Sequence, residues 1–425
     1  MPLEIPPDAL DLAQFIKPND VVVVGQGCAE PLTLTEALVR QRAAIGHCRV
    51  FLGPAFAGTF RPEHADHLGF TAYAASGSNM ALARAGRLDI VPCHYSELPA
   101  LFSEGRQRAD VVLLQLAPED AAGRFRLGMA VDYQIEAARH ARVVIAEVND
   151  QVPETPGSEL PDDLRIDAMI RTSRAPAMLR ATPLGAAEAE IARQVAALVP
   201  DGATIELGIG ALPDAILSAL RDHRDLGIHS GMIGDGVVEL VEAGALTNAR
   251  KPIDRGVSIA GLLFGTRRLF DFAHRNPALR LMPPAYTHGH QVLRQLPCFT
   301  AINSAIEADL TGQVNGEMAG GAYLGAVGGQ VDFMRGALAS PGGRSIIALP
   351  ATAKGGTVSR IVAGLGDGTV TSLRSDMDAI VTEYGVAELR GASLAERARR
   401  MIAIATPQFR EELERAAQPL LKAGK

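Results

Sequence analysis

The 425-residue chain has no tryptophan, and aromatic side chains make up only 4% of it. It has no apolar run approaching the roughly 18 residues of a membrane-crossing helix, so no membrane partner is expected. No basic cluster occurs, and 41 Lys+Arg against 48 Asp+Glu leave a net charge of −7. That balance argues against nucleic acid and acidic membrane surfaces. Cysteine is scarce: Cys28, Cys48, Cys93 and Cys298 show neither CxxC spacing nor a histidine at metal-ligand intervals. They read as buried, reduced thiols of a cytoplasmic protein with no metal site. The first residues, MPLEIPPDALDLAQFIKPND, lack a basic segment followed by a long apolar one, so no signal peptide is expected.

What is present is glycine (43), proline (26) and a hydrophobic fraction of 47%, enough for two cores of ordinary size in a turn-rich α/β protein. DVVVVGQGCAEPLTLTEAL (20–38) and DGATIELGIGALPDAILSAL (201–220) share one design. Each runs from Asp through an apolar stretch to G-x-G, then to a proline and a later Ala-Leu. The apolar run suits a buried strand, the glycines a tight turn, and the proline the first turn of a helix. Two similar α/β domains with mainly parallel sheets follow, 1–185 and 186–425. Strands are predicted at 111–117 and 142–149, helices at 131–141 and 186–199, and a surface loop at 151–163. A capping box, Ser393 to Glu396, opens a helix at 393–405.

Three stretches carry chemistry. In 301–333 strand-like alternation ends in Gly320, Gly321, Gly325, Gly328 and Gly329, which free backbone N–H groups to cradle a phosphate or a ligand chain. Hairpin turns are the bland alternative. In ATAKGGTVSR (351–360), Lys354, Gly355 and Gly356 suit a phosphate or pyrophosphate, with a solvated loop lysine as the bland alternative. GIHSGMIGDG (227–236) reads as a strand end, a glycine-rich turn and a helix start, yet it offers no nucleophile.

Taken together, NSAIEADLTGQVNGE, GGQVDFMRGA, SIIALPATAKGGTVSRIV, VTEYGVAELRG and RARRMIAIATPQFREEL resemble the acetyl-CoA hydrolase/transferase family, the family I CoA transferases of the acetate and 4-hydroxybutyrate type. LGMAVDY, VIAEVND and DGATIELGIGALPDAIL agree in order, so the resemblance spans nearly all of residues 15 to 415. It implies the CoA-transferase fold, with acyl-CoA as substrate in the interdomain cleft, no tightly bound cofactor, and a homodimer or homotetramer. Ala326, Val327, Gly328 and Gly329 would line the thioester end of CoA; Lys354, Gly355 and Gly356 would line the pantetheine or phosphate end. AFAGTF (55–60) and YAASGS (73–78) are candidate walls for the acyl group.

Typical members read H-T-E-M-x-S-D-G, with the Glu as nucleophile. The matching residues here are His229-Ser230-Gly231-Met232-Ile233-Gly234-Asp235-Gly236, so the resemblance places Gly231 in the nucleophile slot. The flexible G-V-G-G loop is Ala326-Val327-Gly328-Gly329, and His288 stands near the expected asparagine. Candidate replacements are Glu206, where members often carry Gln, and His288 as a base of ordinary pKa acting on water in the void left at 231. His229 and His290 lie near the departures. Asp235 and Glu307 match acids of typical members, Asp235 as a helix-start residue. Three functions stay open: a hydrolase with water as acceptor, a CoA transferase using another carboxylate with a small carboxylic acid as acceptor, and an inactive acyl-CoA binder or partner subunit.

Overall fold

The computed structural model describes residues 2–179, 183–366 and 368–422. They form two compact units. The first comprises Met1–Arg180, Ile259–Thr287 and Ala322–Gly328; the second comprises Ala181–Ser258, His288–Gly321 and Gly329–Lys425.

In the first unit, β1 (Leu3–Glu4), β2 (Val21–Val24), β3 (Cys48–Leu52), β4 (Leu68–Ala72), β5 (Leu88–Ile90), β6 (Val111–Leu116), β7 (Val143–Asn149) and β8 (Ala168–Thr172) make one sheet in the order β1-β8-β7-β6-β2-β3-β4-β5. Every pairing in it is parallel. Parallel strands are covered on both faces and so read as unbroken apolar runs; β6, VVLLQL, is buried at all its positions. The 151–163 stretch is loop, and Gln134–His140 is the helix before β7. Helix α1 (Leu32–Ile45) starts without a side-chain cap from its own N-cap residue, Pro31. Glu147 of β7 substitutes, accepting from the backbone N–H groups of Thr33 (2.7 Å) and Leu34 (3.3 Å). A buried carboxylate there satisfies orphan donors and matches the helix dipole.

In the second unit, β9 (Thr204–Leu207), β10 (Gly227–Ile228), β11 (Thr300–Ser304), β12 (Arg344–Ala348), β13 (Ala379–Thr382) and β14 (Gly385–Glu388) pair in the order β10-β9-β11-β12-β13-β14. All pairings are parallel except the last. DAIVTEYGVAELRG is therefore a hairpin: the chain reverses at Glu383–Tyr384, and Gly385, at φ 143°, opens the returning strand opposite Thr382. Helices α2 (Ala211–Ala219), α3 (Asp235–Glu242), α4 (Gln330–Ala339) and α5 (Leu394–Ala403) flank this unit's strands in sequence. The α5 capping box forms with both of its bonds: Ser393 Oγ accepts from Glu396 N–H, and Glu396 returns the bond to Ser393 N–H.

The two repeats occupy matching places. The strand β2 pairs with the next strand in the chain, β3, on one side and with β6 on the other; β9 pairs likewise with β10 and β11. The winding direction reverses between β2 and β6 and again between β9 and β11. Such a reversal, at the carboxyl ends of parallel strands, is where open α/β sheets bind ligands.

Candidate active site

Glu206 lies at the reversal of the second sheet. It is buried in β9, level with Ala301 of β11, and its Oε2 accepts from Asn303 Nδ2 at 2.9 Å. Asn303 is two residues beyond Ala301, so the strand period puts both on one face. Burial pushes the Glu206 carboxyl up to about 8, against the opposing pull of the Asn303 bond and the Ile302 N–H. At neutral pH it is mostly a neutral acid, and its pKa suits proton transfer near that pH.

The neighbouring strand end leads into the turn at 229–231. His229 N–H donates to Ile205 C=O (3.2 Å), and Ser230 Oγ donates to Leu207 C=O (3.1 Å). On the outer edge, Ile228 N–H donates to Asn248 Oδ1 (2.9 Å) and Ile228 C=O accepts from Lys251 Nζ (3.0 Å). Lys251 also donates to Val257 C=O at 2.7 Å, and burial brings its pKa down to about 8. An edge strand without a neighbour thus has its peptide groups satisfied by side chains.

Gly231 is not in the left-handed region, so space, not backbone conformation, is what its lack of a side chain provides. A Cβ there would lie 2.9 Å from both Cε1 and Nε2 of His288 and 3.2 Å from Phe333. A Cβ on Gly329 would lie 2.5 Å from His288 Nε2. The imidazole sits between two glycines, with the Phe333 ring 4.3 Å from it, centroid to centroid. The void expected beside residue 231 is therefore occupied by His288 itself. Burial, with a contribution from His229, drives the His288 pKa down to about 3. It is a neutral imidazole of weak basicity, unlike the ordinary base expected from sequence; neutral imidazoles serve better as hydrogen-bond donors.

Of the other expected residues, His229 is fully buried with its ring edge-on to Phe299, whereas His290 is exposed at the start of a short helix. Asp235 begins α3, as its helix-start reading requires. Glu307 accepts from Asn315 Nδ2 at 3.0 Å. Ala326, Val327 and Gly328 belong to the first unit. There Gly325 C=O accepts from Ala75 N–H and Gly328 C=O accepts from Tyr95 N–H, both at 3.0 Å. The two candidate wall stretches meet as well, Ser78 N–H donating to Ala55 C=O at 2.7 Å. Gly329 is the N-cap of α4 in the second unit. Lys354, Gly355 and Gly356 form the tip between strands Thr352–Ala353 and Val358–Ser359, with Lys354 and Gly355 exposed. Cys28 and Cys48 are buried, but Cys93 and Cys298 are only partly so. Among the described residues no group of three or more His, Cys, Asp or Glu is placed to hold a metal ion, and no helix is long and apolar enough to cross a membrane.

Sequence reasoning missed Asn303, Lys251, Asn248 and Phe333. It also missed a buried network on the first unit's G-x-G turn. There Gln26 Nε2 donates to Tyr95 Oη (2.9 Å) and to Asp132, and Tyr73 Oη donates to Gln26 Oε1 (2.6 Å). The available signal was a glutamine between two glycines at a strand end.

The family model of the acetyl-CoA hydrolase/transferase N-terminal domain matches residues 8–164, and that of the C-terminal domain matches residues 265–417. The chain is also 40% identical over 401 residues to 4-hydroxybutyrate coenzyme A transferase of Clostridium kluyveri, covering 94% of each protein. The chain belongs to the acetyl-CoA hydrolase/transferase family. Solved structures of similar chains agree. RipA from Yersinia pestis superposes with a TM-score of 0.91 at 34% identity, covering 98% of this chain and 97% of that one. A 4-hydroxybutyrate CoA-transferase from Porphyromonas gingivalis gives 0.82 at 34% identity with the same coverage. The acetyl-CoA hydrolase/transferase fold is thus a mixed α/β one with a large parallel sheet, as expected from the sequence.

Proposed function

We propose that this chain is an acyl-CoA hydrolase in which Glu206, not a residue at 231, supplies the working carboxyl. The observation that carries this reading is a buried carboxyl with a pKa of about 8 at the strand reversal, one strand from a turn whose glycine is packed against His288. As the carboxylate, Glu206 takes a proton from water while the water oxygen attacks the thioester carbonyl. The C–S bond then breaks, and the proton passes to the departing CoA thiolate. Neutral His288 offers an N–H to the developing oxyanion. A base of this kind contributes about 10² to 10⁴-fold, less than a covalent route supplies, so a slow or narrowly specific enzyme is expected. Ala326, Val327, Gly328, Gly329, Lys354, Gly355 and Gly356 are the proposed CoA contacts. The proposed setting is the cytoplasm, and the proposed assembly is a homodimer or homotetramer.

A second reading follows from the same carboxyl: Glu206 as nucleophile of a CoA transferase. The test is incubation with acyl-CoA, with and without acetate, followed by borohydride or hydroxylamine trapping and mass analysis. The hydrolase reading expects free CoA without acetate and no adduct, with release abolished in Glu206→Gln. CoA trapped on Glu206 makes the protein a transferase. Neither signal across a broad acyl-CoA panel leaves an acyl-CoA binder or partner subunit.

A further inference from the structure

The first unit carries a second concave site with none of the catalytic or CoA-contact residues proposed above, although Ala57, Gly58 and Thr59 belong to the 55–60 stretch read as a candidate acyl wall. Along α1, Leu32, Glu36, Val39 and Arg40 share one face at helical spacing, and the segment 57–64, a loop that enters the 3-10 helix Pro62–Asp66, lies over it. Between them is a cavity of about 470 Å³, within the usual range for small-ligand sites. Its walls are apolar at Leu32, Val39 and Ala57, and cationic at Arg40, Arg61 and Arg174.

The charges around it do not cancel. Arg174 is committed to Glu36 through two bonds, of 3.0 and 2.9 Å. Arg61 donates its Nε to Gly58 C=O at a long 3.4 Å and stands 3.8 Å from Glu63, an exposed pair of little strength. Arg40 also lines the space. His64 accepts from Arg61 N–H on Nδ1 at 3.2 Å, which leaves the proton of the neutral ring on Nε2 as a further donor. Behind the wall residue Thr59 is the carboxyl of Glu30. Burial raises its pKa against the pull of bonds from Thr59 and Thr35.

We infer that this cavity binds an organic phosphate, its apolar wall taking the body of the ligand and Arg40, Arg61 and His64 taking the phosphate oxygens. Planar guanidinium groups suit phosphate in two-bond geometry, and a ligand larger than inorganic phosphate is needed to fill the volume. Such a group comes from a free nucleotide or from the nucleotide end of CoA.

The test is calorimetric titration of the full chain with adenosine 3′,5′-bisphosphate, at constant ionic strength set with chloride. Binding should weaken at least tenfold in the Arg40→Ala/Arg61→Ala double variant and persist in Arg106→Ala, a surface arginine paired with Glu104 elsewhere on this unit. Circular dichroism melts confirm that each variant is folded. Persistence in Arg106→Ala with loss in the double variant supports the site, and competition by CoA then names CoA as the source, whereas lack of competition names a free nucleotide. Absence of binding heat, or equal affinity in the folded double variant, overturns the inference.

Discussion

Glu206 is a carboxyl that folding holds in its neutral form, and that has consequences for rate and for stability. A base must be ionised to accept a proton, so hydrolysis should rise with pH through about 8 in wild type. Glu206→Gln should lose at least 10²-fold in rate and show no such rise; a flat wild-type profile would remove Glu206 from the reaction. The folded pKa lies above the unfolded one, so the stability due to the neutral form is complete below about 4.5 and is lost as pH rises through about 8. Glu206→Gln should therefore melt above wild type at pH 9 but not at pH 4. At 231, Gly231→Glu alone should cost about 1–3 kcal/mol through overpacking against His288 and gain no transferase activity. With His288→Asn added, room returns, and a double-mutant cycle by urea unfolding should show favourable coupling; additive effects would contradict the packing. The absence of a side chain at 231 was legible in the sequence. What fills its place was not, because His288 is 57 positions away in the chain and comes beside it only through tertiary packing.

Strand β10 has only two residues, and its outer edge is closed by Asn248 and Lys251 rather than by another strand. Removing the Asn248 acceptor leaves the buried Ile228 N–H without its bond, which costs about 1–3 kcal/mol. Asn248→Ala should show that loss in denaturant unfolding, together with faster amide exchange at Ile228 and His229. Unchanged exchange there would mean that the clamp does not hold the turn. By contrast, Ser393→Ala should cost only about 1 kcal/mol and leave the site untouched, since it removes one cap. The contrast explains what could be read in advance. A capping box is local, four residues wide, and its pattern appears directly in SLAE. A side chain bonding a backbone group 20 residues away has no spacing rule, so the clamp was invisible in NARKP.

The common strand order, β8-β7-β6-β2-β3 in one unit and β13-β12-β11-β9-β10 in the other, was anticipated by two G-x-G repeats. Each repeat marks the strand from which the winding reverses. The repeats do not reveal that Ile259–Thr287 joins the first unit, because those residues follow the second repeat in sequence. Their packing has a direct consequence for a chain cut at 185. Phe264 rests on Gly27, where a Cβ would lie 2.3 Å from its ring, and stacks edge-on against Phe56 at 5.0 Å. Val131 N–H donates to Gly261 C=O, and Leu263 N–H donates to Met129 C=O, each at 2.9 Å. A fragment of residues 1–185 keeps its eight strands but loses these aromatic and backbone partners, exposing apolar surface at the Gly27 turn. It should bind the dye ANS and unfold with a broad transition, since specific packing is lost while the sheet persists. The full chain should bind little dye under the same conditions. A 1–185 fragment that unfolds sharply in urea without binding dye would show that Ile259–Thr287 adds nothing essential to the first unit. The further consequence concerns Gln26, whose bonds to Tyr73 and Tyr95 start from the same turn. In the fragment, amide exchange should therefore accelerate most around Gly25–Cys28, and least in the central strand β6.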